Sequence, residues 1–122
     1  MKSPVTLEDC ALRVAEAERA VLRAQQVARG LADAIAARKA EFAHVIAFDK
    51  TLSNDAKRKD EMQMLERTDE AYLELQSQHQ AAKDAATQAQ IEADLQARLW
   101  QVARLEAKGA VVRSRPLGAL EY

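Results

Sequence analysis

From Leu7 to Phe42 an apolar or small residue returns at every seventh position: Leu7, Val14, Val21, Ala28, Ile35 and Phe42. Three residues on, a companion row holds Cys10, Ala17, Ala24, Leu31, Arg38 and Val45. Rows spaced three and four residues apart lie along one face of a helix. A seam of this length therefore commits the segment to helix packed against another helix. Arg38 is the one charge in the seam, and its aliphatic stem lets the guanidinium reach the edge. Gly30 lies within the same stretch, at about 1 kcal/mol relative to alanine.

The ends of the helices are marked by their own chemistry. Thr6 can accept amides of the first turn, and Glu8 and Asp9 suit the positive end of the helix dipole. Asp49 to Asp55 interrupts the pattern, and Ser53 or Asn54 can cap a second helix. Gly109 reads as its stop, with Lys108 suited to the negative dipole end. The spacing thus predicts a helix over 7–48, a turn over 49–54 and a helix over 55–108. A second capping signature at Thr68-Asp69-Glu70 marks a break near Thr68 as the alternative to one continuous second helix. Residues 1–109 then form a long antiparallel two-helix coiled coil of the all-α class, followed by a basic C-terminal tail, 110–122.

The second seam reads Leu65, Tyr72, Leu75, His79, Ala82, Ala86, Ala89 and Ala93. Alanine makes up 26 of the 122 residues, as many as Leu, Ile, Val and Phe together, so the core is thin and the helices must approach closely. A turn centred on 49–55 sets Leu7 against the region of residue 97 and His79 against that of residue 25. The end of the second helix is then left without a partner from the first. It carries an additional apolar row, and Ile91, Leu95, Leu99, Trp100, Val102 and Leu105 become the candidate surface for self-association into a helical bundle or for a partner protein.

Catalytic and metal chemistry find no footing. His44 and His79 are far apart, without HExxH spacing or cysteine partners, so neither metal nor cofactor is expected. Cys10 sits in the seam with no histidine placed to activate it, which makes it a structural thiol. The acidic residues alternate with Lys and Arg at helical spacing, as on a solvated face, and the chain reads as non-enzymatic. The net charge of −1 gives no general attraction for polyanions. Lys57-Arg58-Lys59 is offset by Asp55, Asp60 and Glu61. Arg104, Lys108, Arg113 and Arg115 are opposed only by Glu106 before Glu121, and with Trp100 beside them they are the candidate contacts to nucleic acid. No apolar run follows Lys2, and no stretch approaches the roughly 20 apolar residues of a membrane span. A cytoplasmic protein with no membrane contact is the expectation.

Lys39-Ala40-Glu41-Phe42, the run Leu-Ser-Asn-Asp-Ala-Lys-Arg-Lys at 52–59, and Asp69-Glu70-Ala71-Tyr72-Leu73 together resemble small coiled-coil proteins of phages and prophages. These have an aromatic-rich end to the first helix, a short Ser-Asn turn, a basic helix start and a long Ala-rich second helix. The resemblance covers residues 7–108 and assigns no residue a role. Because such proteins are often encoded beside recombination and single-strand-binding genes, it implies an accessory in phage DNA recombination or replication, or in countering a host system. Two further readings stand beside this one: a nucleic-acid-binding accessory using the basic tail, and a virion assembly or scaffold component.

Overall fold

The computed structural model describes residues 6–114, and all but nine of these are helical, with no strand among them. The chain is all-α: α1 spans Leu7–Ala47, α2 Asp55–Thr68 and α3 Glu70–Ser114. At the start of α1, Thr6 Oγ1 accepts the Asp9 amide at 3.0 Å, and the Thr6 amide donates to Asp9 Oδ2 at 3.2 Å. This reciprocal pair satisfies donors that the first turn otherwise leaves free. Between α1 and α2, Asp49 Oδ1 accepts both the amide (2.9 Å) and the hydroxyl (2.6 Å) of Thr51. Asn54 then caps α2, its Oδ1 accepting the Lys57 amide at 2.8 Å.

The alternative of a break near Thr68 is the one the chain adopts, at a single residue. Asp69 is extended, at φ −74° and ψ 114°. Its amide still donates to the Leu65 carbonyl at 2.9 Å, and its carboxylate accepts the Tyr72 amide at 2.8 Å. The Thr68 hydroxyl donates back to the Met64 carbonyl, a bond that tends to bend a helix. One residue thus closes α2 and caps α3.

The other expected stop is overturned. α3 continues through Gly109 to Ser114, and no described glycine takes a positive φ. The left-handed cap that would end a helix at glycine is therefore not formed. Residues 110–114 of the expected tail are helical; Arg113 falls in this last stretch, and Arg115 lies outside the described residues.

The chain divides into two units, one joining α1 through Leu22 with α3 from Thr87 onward, the other comprising Arg23–Ala86. Among the described residues, Val21 and Ala93 are buried apolar residues of the first, and Phe42, Ile46, Tyr72 and Ala82 of the second. The heptad seam is correct from Cys10 to Phe42, all of whose members are buried or half-buried. It fails at its ends: Leu7 is exposed, and Val45 is exposed while Ile46 is buried. The step from Phe42 to Ile46 is four residues, which keeps the stripe on a straight helix of 3.6 residues per turn.

The expected register holds across α2, where Lys39 pairs with Glu66 and Met62 shares a cleft with Ala43. It is corrected in α3: the ring of Phe42 meets that of Tyr72, with centroids 5.6 Å apart. The reason is α2. Its 14 residues cover only the end of α1, with Met62 sharing a shallow cleft with Ala43 and Ile46 and Glu66 pairing with Lys39. α3 therefore meets α1 later in the chain than a continuous helix would. Accordingly His79 lies beside Ile35 rather than near residue 25. Within the expected overhang, Trp100, Ala103 and Ala107 are half-buried.

Gly30 lies in the interior of α1, and a Cβ built there would meet nothing within 4 Å. Gly30→Ala is accordingly expected to stabilise the protein by roughly 0.4–1 kcal/mol, by reducing the freedom of the unfolded chain. A lower midpoint in chemical unfolding would contradict this placement of Gly30.

Candidate functional site

α3 carries two stripes on opposite faces. Tyr72, Leu75, His79, Ala82, Ala86, Ala89 and Ala93, continued by Gln96, Trp100, Ala103 and Ala107, are buried or half-buried. Their spacing of three and four residues keeps them on one side of the helix. Ile91, Leu95, Leu99, Val102 and Leu105 recur at the same spacing about half a turn away, and all are exposed, Ile91 at 56% and Leu105 at 68%. Of the six candidate association residues, Trp100 alone belongs to the inward stripe. The other five form an apolar strip four turns long facing solvent.

Of the cationic candidates, Arg104 and Lys108 have described side chains, and both are exposed. Arg104 lies over the Trp100 ring, with Cζ 4.7 Å from the centroid, a cation–π contact made within the chain. Arg104 and Lys108 also flank Leu105 in a groove of about 290 Å³. Cys10 is a half-buried free thiol, and the exposed His44 ring packs against the exposed Phe48 at 4.7 Å. Among the described residues no group of three His, Cys, Asp or Glu is arranged to hold a metal ion.

The densest polar cluster stands at the α2–α3 break. Arg38 donates from Nε to Asp69 Oδ1 at 3.2 Å and from Nη2 to Oδ2 at 2.6 Å, and from Nη1 to Glu41 one turn on. Its Cζ also lies 5.3 Å from the centroid of the Phe42 ring. Asp69 thus receives both arms of a guanidinium fork and one backbone amide. Lys39 pairs with Glu66 across the same junction at 3.6 Å, and its ammonium is favoured first by the Tyr72 oxygen and then by Glu66. Arg38 stood out in the sequence as the seam's only charge. Its partner could have been sought among acids at capping positions, which singles out Asp69, one turn beyond the residue 66 that the expected register set against Arg38.

The Arg38 bonds, followed by the Tyr72 amide, hold the Asp69 carboxyl below the usual carboxylate range. A lowered folded pKa contributes stability above the ordinary value near 3.9 and loses it as pH falls from there through the folded value. Asp9 and Asp49 are lowered too, chiefly by their bonds to Thr6 and Thr51. Thermal melts of the native protein are therefore expected to drop steeply below about pH 4, and those of Asp69→Asn less steeply. Parallel acid losses in the two proteins would show that the fork is not coupled to folding.

No protein-family model, curated protein or solved structure matches this chain. Among the described residues, no helix is long and apolar enough to cross a membrane.

Proposed function

We propose that the protein is a long antiparallel helical hairpin that works as a non-enzymatic interaction module, associating with a second copy of itself through the outward face of α3. The observation that carries this reading is the solvent-facing strip of Ile91, Leu95, Leu99, Val102 and Leu105 behind a seam that is already packed. A contiguous exposed apolar strip is what association surfaces present. A copy carrying the same strip supplies a self-complementary partner through a two-fold axis. The resemblance drawn from the sequence places the proposed setting in a phage or prophage, as an accessory to DNA recombination or replication or against a host system.

Light scattering coupled to size exclusion tests the association. A mass that rises with concentration to a multiple of 13.5 kDa is expected, and Leu95→Glu with Leu99→Glu should return it to 13.5 kDa with the helix content unchanged. A native protein that stays at the monomer mass at every concentration would refute self-association.

A further inference from the structure

Within the unit that holds the end of α3, the charges beside the outward strip are ordered. Asp94 and Arg98 are four residues apart and so share one edge of the helix, next to Ile91, Leu95 and Val102. Leu99 and Glu92 stand on the opposite edge of the strip. All seven side chains are exposed. Asp94 Oδ1 accepts the Gln90 amide at 3.0 Å, a neutral donor that leaves the carboxylate charge unopposed. Among the described residues, Arg98 makes no ion pair or hydrogen bond, and although the i,i+4 spacing would allow it, it does not pair with Asp94 of its own helix.

We propose that the second copy lies antiparallel on this strip, about a two-fold axis that crosses the helices near Gln96, so that Asp94 of each chain meets Arg98 of the other. The inference rests on the self-association proposed above and gives it an orientation. A two-fold axis perpendicular to the helices sets one edge of the strip against the same edge running the other way. An acid followed four residues later by a base is then complementary to itself, and both contacts form together. The apolar residues obey the same operation: Ile91 falls opposite Val102 of the second copy, and Leu95 and Leu99 close around the axis. A parallel pair would instead set this edge against the other one. Asp94 would then face Glu92, and Arg98 would face Leu99, so the charges favour the antiparallel partner.

Cross-linking reads the orientation with the native charges in place. In a full chain carrying Cys10→Ser, which removes its one thiol, Ile91→Cys and Val102→Cys proteins are oxidised separately and as a mixture. A disulfide-linked dimer is expected from the mixture alone, because like positions lie roughly 15–18 Å apart along an antiparallel pair, beyond the reach of a disulfide. Arg98→Glu and Asp94→Lys, each alone, should weaken self-association by about tenfold or more, since like charges then meet at both contacts. Mixing these two variants should restore it, an acidic edge on one chain meeting a basic edge on the other. Dimers in which Ile91→Cys links to itself, or charge variants that gain nothing on mixing, overturn the antiparallel pairing and leave self-association standing. A native protein that keeps the 13.5 kDa monomer mass at every concentration overturns both.

Discussion

Phe42→Ala is expected to destabilise the protein by about 3–5 kcal/mol, the usual range for removing a buried aromatic ring. Phe42 is 5% exposed and Tyr72, against which it packs, is 2% exposed. The two rings are tilted by 57°, an arrangement that favours the edge of one against the face of the other. Arg38, the residue that holds Asp69, rests on the Phe42 face as well. The truncation therefore leaves a cavity and removes the platform under the fork. With domain stabilities commonly 5–15 kcal/mol, the loss would be a large share of the total. Phe48→Ala is the matched control, because that ring is 75% exposed and should cost little. Equal shifts in urea midpoint for the two variants would mean that Phe42 is not the core residue described above.

Ala82→Leu is expected to cost about 1–3 kcal/mol, through overcrowding rather than through a void. Ala82 is buried, and a methyl group can be buried in a helix pairing only where the facing helix comes close. A leucine there must force the helices apart or take up a strained rotamer. Ala81, its exposed neighbour, supplies the contrast: Ala81→Leu should leave the thermal midpoint almost unchanged. Should both substitutions be tolerated alike, the close approach of α1 and α3 at Ala82 is wrong.

Much of the fold was legible because helix periodicity is local. The inward stripe of α3 from Tyr72 to Ala93 is buried or half-buried as its spacing predicts, and so is that of α1 from Cys10 to Phe42. The cap at Thr6, and a second at Ser53 or Asn54, were legible for the same reason, since each involves residues only three apart; Asn54 is the one that caps. Pairing register is not local. It depends on how much of α1 the 14 residues of α2 cover, which is decided by packing at Met62 and by the Lys39–Glu66 pair. Gly109 misled because glycine permits a left-handed cap without requiring one. The exposed row from Ile91 to Leu105 was legible from local periodicity as well, since its spacing sets it about half a turn from the half-buried stripe.

In an uninterrupted helix every inserted or deleted residue turns all that follows by 100° about the axis. A length change in a continuous second helix would carry the Ile91–Leu105 strip away from its outward bearing and drive the alanine stripe out of the seam. The break at Asp69 uncouples the two rotations. Because Asp69 is clamped to Arg38, the azimuth of α3 is set afresh from α1 rather than inherited from α2. The start of α3 is then fixed by its own contact with α1 and not by the rotational phase of α2, so long as an acid remains to start α3 and an arginine remains to receive it.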